Sequence, residues 1–313
     1  MKEKTVVVTG GAGFIGSNLA RHLLSTRNQV IIIDDLSTGR LENINDIIDD
    51  KNVRFIQGSI TDVELLRDAF KGVQYVFHQA ALPSVPRSIK DPLTTNQVNI
   101  NGTLNVLMAA KEASVQKVVY ASSSSVYGDT PTLPKTESMT PHPLSPYAVS
   151  KLTGEYYGQI FTDVFRLPTV SLRYFNVYGP FQDPSSEYAA VIPKFIQNVL
   201  HDKPPVVYGD GEQTRDFTFI DDVVQANVRA AESTATGVFN TAGGRRITVN
   251  ELARTIMRLC EKELDIVYEA ARPGDIKHSL ADSSKAHASF GYAPQFDIAK
   301  GLKETIPWYQ KQQ

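Results

Sequence analysis

Short β-branched runs alternate with helix-length segments through the first half of the chain. Residues 5–9, 30–33, 53–56, 75–78, 118–121 and 170–173 read as strands, separated by stretches of helical period. Strands this continuously apolar are buried on both faces. The sheet is therefore expected to be parallel, with right-handed crossovers, and the fold to be α/β and doubly wound. Ligands of such sheets bind at the carboxyl ends of the strands.

Beyond Tyr174 the alternation weakens, and Pro180, Pro184, Pro193, Pro204 and Pro205 interrupt shorter elements. The pattern predicts a smaller, loop-rich α/β lobe that binds substrate. We place the first domain at residues 1–175, with 221–242 returning to it as one more helix and strand. The second lobe is residues 176–313, interleaved with the first. Two helix starts carry capping boxes, Thr61 with Glu64 and Thr248 with Glu251. Apolar residues on more than one face of the helices around 98–110 and 152–165 predict an intersubunit bundle, hence a homodimer. Trp308 and Tyr309, near Leu302 and Ile306, read as an amphipathic helix packed on the second lobe.

Composition narrows the function classes. The 313 residues are 42% hydrophobic, enough for a large core, and 32 basic residues nearly balance 34 acidic ones. No general field draws in nucleic acid or an anionic membrane, so any phosphate site must be local. Cys260 is the single cysteine and reads as a structural thiol on an apolar helix, in keeping with a reducing compartment. With no cleavable signal and no apolar run near the ~20 residues of a membrane span, the expectation is a cytoplasmic protein without membrane partners. The six histidines show no metal-ligand spacing, and no metal is expected.

The run Thr9-Gly10-Gly11-Ala12-Gly13-Phe14-Ile15-Gly16 follows a predicted strand and opens an amphipathic helix. That context gives the glycines a mechanism, the one found in Rossmann dinucleotide sites. Gly10 permits a tight turn, Gly13 lets backbone approach a pyrophosphate, Gly16 allows close helix packing, and the helix start offers unpaired amides to phosphate. Asp34 closes the second strand, where a carboxylate can accept hydrogen bonds from the adenosine ribose. With Asp35 beside it, a 2′-phosphate would be repelled, so the cofactor is expected to be NAD. Arg40, further along the loop, reads as a solvated side chain.

Chemistry gathers at two strand ends. The serine run 122–125 follows the fifth strand, and Tyr147 and Lys151 stand one turn apart at the start of a helix over residues 146–165. At i and i+4 they share a face, so the ammonium can sit beside the phenol. Positive charge from Lys151 and an oxidised nicotinamide would make Tyr147 a general base toward a hydroxyl whose carbon loses hydride, with Ser123 holding the oxygen.

At these residues the sequence resembles the extended short-chain dehydrogenase/reductase family, and within it the UDP-hexose 4-epimerases, especially those acting on UDP-N-acetylglucosamine. The motifs are TGGAGFIGSNL at 9–19, HQAA at 78–81, NINGTLN at 99–105, SSSSVYG at 122–128, SPYAVSK at 145–151, LRYFNVYGP at 172–180, GDGEQTRDF at 209–217 and RPGD at 272–275. The resemblance implies that Ser123, Tyr147 and Lys151 are catalytic, Lys151 also holding the nicotinamide ribose. For the cofactor it implies Gly10, Gly13, Phe14, Ile15, Gly16, Asp34, Asp35, Ser37, Gly39, Ser59, Ile60, Gln79, Ala80, Ala81, Asn99 and Tyr174. For a UDP-sugar it implies Asn176, Arg215 and Arg272 on the diphosphate, Asp275 on the uridine ribose, and Val191 and Tyr208 beside the uracil. Ser84, Ser124, Gln182, Ala190, Val206 and Ser279 complete the expected substrate site.

Where related dehydratases and decarboxylases carry a glutamate before Val126, this chain has Ser125, so elimination lacks its acid/base. A ketone at C4 is then left to turn over and take the hydride back on its other face. Ser279 stands where epimerases restricted to unsubstituted hexoses carry tyrosine, which implies room for a 2-acetamido group, so acetylated and plain UDP-hexoses are both expected substrates; a UDP-uronic acid is the alternative, since no residue by itself excludes a C6 carboxylate. Ser59 replaces a common aspartate, and Pro83 a lysine found near the nicotinamide in some relatives. Both predict an altered grip on the cofactor with chemistry intact.

Overall fold

The structure, a computed structural model, describes residues 1–184, 190–271 and 277–312. Seven strands form the central sheet: β1 (Thr5–Thr9), β2 (Gln29–Asp34), β3 (Val53–Gln57), β4 (Tyr75–His78), β5 (Lys117–Ser123), β6 (Thr169–Tyr174) and β7 (Gly237–Thr241). Their spatial order is β7-β6-β5-β4-β1-β2-β3 and every neighbouring pair is parallel. The winding reverses direction between β1 and β4, which opens a crevice at their carboxyl ends.

Strand alternation decides which helices cover which face. Val6 and Val8 of β1 point into a core with Leu19 and Val223, whereas Val7 points the other way, toward Leu66, Val106 and Phe161. The first group places α1 (Phe14–Ser25) and α8 (Ile220–Glu232) on one face. The second places α2 (Val63–Ala69), α5 (Gly102–Glu112) and α6 (Pro146–Asp163) on the other. Two short helices, α3 (Val85–Lys90) and α4 (Pro92–Asn96), lie against α6.

Helices α7 (Val191–Leu200), α9 (Val249–Leu259), α10 (Ser284–Phe290) and α11 (Ile298–Gln310) build the second part of the molecule. Phe195, Ile196, Leu252, Ile256, Leu302 and Ile306 extend the first core without a break, and Tyr309 is buried with them. Three two-stranded ribbons complete it, pairing Val177–Tyr178 with Thr218–Phe219, Thr214–Asp216 with Arg246–Thr248, and Val206–Tyr208 with Val267–Glu269.

Local signals held at one helix start and shifted at another. Thr248 and Glu251 form the reciprocal capping box that opens α9. At α2 the cap is Asp62, whose carboxylate accepts from the Leu65 amide at 3.1 Å, while the Thr61 hydroxyl turns back to Ser59 at 3.0 Å. The stronger, charged acceptor takes the cap and moves the start along by a residue. In α5 Val106, Leu107, Ala109 and Ala110 are buried in the core, while Leu104 and Met108 stay partly exposed; α6 keeps the more exposed apolar residues. Cys260 ends α9, half-buried, with its thiol pushed up by burial. Among the described residues no helix is long and apolar enough to cross a membrane, and no His/Cys/Asp/Glu group is arranged to hold a metal.

Candidate active site

A cleft of about 840 Å³ opens along the carboxyl ends of β1, β2, β4 and β5. At its floor the chain leaves β1 through Gly10, where φ is +68° and a Cβ would stand 2.6 Å from the Ala80 nitrogen. A Cβ on Gly16 would meet the Gly10 carbonyl at 2.1 Å, so this residue lets α1 close down on the turn. No side chain caps α1 at Gly13 and its first turn holds no acid, which leaves the helix-start amides to the cleft. The donors and the emptied space suit a pyrophosphate.

Asp34 lies deep at the end of β2, accepting from the amides of Ala12 at 3.0 Å and Leu36 at 2.9 Å. Burial raises its carboxyl above the usual range, and those amides pull it back. Two oxygens offer about four acceptor sites, so capacity remains for ribose hydroxyls. Asp35, Ser37 and Gly39 line the same cleft, as do Phe14, Ile15, Ile60, Gln79, Ala80 and Ala81. Arg40 is 51% exposed, as expected of a solvated side chain, yet it has a partner. It crosses the cleft mouth to Asp183 at 2.6 Å, an ion pair that 143 residues of separation hide from a sequence window.

Tyr147, Lys151 and Tyr174 line this cleft too, as do Ser84, Gln182 and Ala190. Helix α6 is started by the Ser145 hydroxyl, which accepts from the Ala148 amide, and by Pro146 at a position needing no N–H. That start sets Tyr147 in the first turn and Lys151 one turn on. Lys151 is buried, donates from Nζ to the Ala121 carbonyl at 2.8 Å, and lies 5.9 Å from the centre of the Tyr147 ring. Burial pushes its ammonium down to about 7. The Tyr147 phenol is raised by burial, and the Ser123 hydroxyl lowers it. Burial makes the charged form of each group costly, so positive charge brought beside the phenol has leverage on it.

Ser123 ends β5, and its Oγ accepts from the Ser125 amide at 3.1 Å at the head of the turn Ser124–Tyr127. Tyr174 is bonded to Gln79 and to Asn227, the latter at 3.0 Å.

Several expected residues stand behind the wall. Asn99 is buried, with its amide spent on Leu82 N and O and on Ser150, so it shapes the 82–84 turn from below. Ser59 holds Thr61 instead of facing the cleft, which is lined there by Gly58 and Ile60. On the second lobe Asn176 donates to the Ser279 hydroxyl at 3.2 Å and to the Asp216 carbonyl at 2.9 Å. Arg215 leans on the carbonyls of Thr214 and Lys277. Val206 and Tyr208 share one short strand, and Val191 opens α7. Arg272 and Asp275 lie outside the described residues.

Residues 6–242 match the model of the NAD dependent epimerase/dehydratase family. A UDP-glucose 4-epimerase from Mycolicibacterium smegmatis is 38% identical over 308 residues, covering 97% of this chain and 98% of the relative. Among solved structures, a UDP-N-acetylglucosamine 4-epimerase from Methanobrevibacter ruminantium, in complex with UDP-N-acetylmuramic acid, superposes with a TM-score of 0.97 at 45% identity over 100% of both chains. A UDP-glucose 4-epimerase from Thermus thermophilus, complexed with NAD, gives 0.89 at 35% identity, covering 98% of this chain and 99% of that one.

Proposed function

The chain belongs to the NAD dependent epimerase/dehydratase family, and we propose that this UDP-sugar 4-epimerase turns over N-acetylated and unsubstituted UDP-hexoses through a transient 4-keto sugar. One observation carries the reading: Tyr147 and Lys151 share a face of α6 in the cleft wall, with the Ser123 hydroxyl acting on the phenol.

The glycine turn and Asp34 would hold NAD, which when bound would supply a hydride acceptor. Tyr147 takes the proton of the C4 hydroxyl as the C–H bond breaks, and Ser123 hydrogen-bonds the oxygen throughout. Lys151, with the cofactor's positive charge, draws the phenol toward its anion. The ketone then turns over while Asn176, Arg215 and Arg272 hold the diphosphate, with Asp275 on the uridine ribose and Val191 and Tyr208 at the uracil. Guanidinium forks suit phosphate oxygens, and an anchor at the diphosphate leaves the sugar free to rotate. Tyr147 would give the proton back as the ketone is reduced on its other face, so that net redox change is zero. Ser125 offers no acid for elimination, which disfavours dehydration. Ser279, small where a tyrosine would fill the pocket, supports the acetylated substrates, and so does the name of the Methanobrevibacter ruminantium neighbour.

A homodimer fits this reading. Val149, Tyr156, Ile160 and Val164 form a stripe at helical spacing along α6, each between 45% and 66% exposed, with Ile89 and Leu93 beside them.

Incubation with UDP-glucose, UDP-N-acetylglucosamine and UDP-glucuronate, with epimers resolved chromatographically, tests the assignment. The first two should equilibrate with their C4 epimers at unchanged mass. Loss of water from any substrate would mean dehydration, and inertness of UDP-N-acetylglucosamine beside active UDP-glucose would remove the acetylated class.

A further inference from the structure

The three groups assigned to the chemistry come from two separate elements, Ser123 from the end of β5 and Tyr147 and Lys151 from α6. Their productive geometry requires strand and helix to be held within ~0.5 Å of one relative position. Lys151 makes one tie, to the Ala121 carbonyl. A second, buried tie lies one turn further along α6.

Glu155 is 3% exposed and accepts from Arg173 bidentately, at 2.8 Å from Nε and 2.7 Å from Nη2. The same carboxylate accepts the hydroxyl proton of Ser122, the residue preceding Ser123. Arg173 stands on β6 in register with Ser122 and next to Tyr174 of the cleft wall. Its guanidinium carbon sits 4.6 Å from the centre of the Tyr127 ring, in the turn that follows Ser123, and the Tyr127 hydroxyl is tied to Asn240 of β7 at 2.7 Å. One carboxylate therefore joins α6, β5 and β6, and the arginine it holds braces the turn beyond Ser123.

Stability does not account for this arrangement. A buried ion pair roughly breaks even against apolar side chains of the same volume, because desolvation offsets the attraction. What the network supplies is geometry. A bidentate fork fixes angle as well as distance, which apolar packing does not.

We propose that Glu155, with Arg173 and Ser122, is the positioning unit of this active site, setting the end of β5 against α6 and so the separation of Ser123 from Tyr147. The inference rests on the reading that Ser123 and Tyr147 do the chemistry. Ser122 lines the cleft beside Ala121, whereas Glu155 and Arg173 stand behind it; all three are assigned a positioning role, acting through Ser123 and Tyr147.

The test compares Ser122→Ala, Arg173→Lys and the double variant Glu155→Met/Arg173→Met in the NAD-loaded protein. Five quantities are measured: melting temperature, bound NAD, the KM and the kcat for a UDP-hexose, and the pH profile of kcat. The double variant should fold and hold NAD, with KM within about twofold but kcat down tenfold or more, since a displacement near 1 Å costs on the order of 100-fold. Its acid limb should move to higher pH, because the Ser123 hydroxyl that favours the phenolate is displaced. Arg173→Lys keeps the charge but loses the fork and should behave like the double variant. Ser122→Ala, which leaves the ion pair in place and should fold, is expected to lower kcat about threefold or more at constant KM. Wild-type kcat and pH profile in the double variant and in Ser122→Ala would overturn the proposal. So would a fall in kcat that only tracks lost NAD or lost folded protein. Retention of activity by Tyr147→Phe would instead remove the chemical reading beneath it, which keeps the two failures apart.

Discussion

Arg40 and Asp183 meet at 2.6 Å across the mouth of the cofactor cleft, joining the loop after β2 to the segment after β6. Each side is anchored independently. The Arg40 amide is bound to the Ala12 carbonyl at 3.0 Å, while Phe181 packs under the Arg21 guanidinium and against Trp308. The pair is partly exposed, so its worth is at most about 1 kcal/mol and sensitive to salt. Arg40→Ala and Asp183→Ala should each speed NAD release up to about fivefold at low ionic strength, with no further gain in the double variant. Release followed by dilution into excess unlabelled cofactor checks this; multiplicative effects would show that the two residues act separately.

His78 is fully buried between the Thr9 hydroxyl at 2.7 Å and the Thr103 hydroxyl at 3.0 Å. Burial, and secondarily Lys151, push its pKa down to about 3. Between about 3 and 6.5 the unfolded chain binds a proton that the folded chain refuses, so this contribution to stability is present above 6.5 and lost as pH falls. The stability difference between wild type and His78→Gln should shrink or reverse on acidification, with a slope up to about 1.4 kcal/mol per pH unit. Denaturant unfolding at pH 7.5, 6 and 5 measures it. A difference independent of pH would mean that His78 titrates normally.

In the proposed mechanism Lys151, whose ammonium burial pushes down to about 7, is the cation beside a phenol raised by burial. Lys151→Met should lower kcat by about 100-fold or more and move the acid limb of the kcat profile to higher pH, because the phenolate loses its cation. A loss of activity with the limb unmoved would confine Lys151 to cofactor binding.

The hydroxyl of Ser279 accepts from Asn176 and from the Asp216 amide, each at 3.2 Å, which fixes a small side chain beside the proposed diphosphate anchor. Ser279→Tyr should cut kcat/KM for UDP-N-acetylglucosamine by roughly 100-fold while leaving UDP-glucose within about tenfold. Equal losses on both substrates would show that residue 279 does not sense the acetamido group.

The exposed stripe on α6 predicts self-association. Tyr156→Glu with Ile160→Glu should convert a dimer to a monomer in sedimentation equilibrium, and a wild type already monomeric at micromolar concentration would remove the dimer.

Much of the fold was legible because its signals are local. All six strands expected in the first half are present, shifted by no more than two residues at an end, and residues 220–241 return to the sheet as α8 and β7. The glycine turn and Lys151 beside Tyr147 follow from spacing alone. What stayed hidden depends on partners distant in sequence. Asn99 turned inward because Leu82 and Ser150 claim its amide, Arg40 found Asp183, and Glu155 reads as any acidic residue of a helix until Arg173 and Ser122 are folded against it.

Replacing Tyr147 with phenylalanine deletes one oxygen and leaves the ring in place, so it tests the proposed base most directly. With NAD content and melting temperature unchanged, epimerisation of UDP-N-acetylglucosamine and of UDP-glucose should fall by about 100- to 10,000-fold. Turnover near the wild-type rate in a folded, NAD-loaded Tyr147→Phe protein would contradict the account.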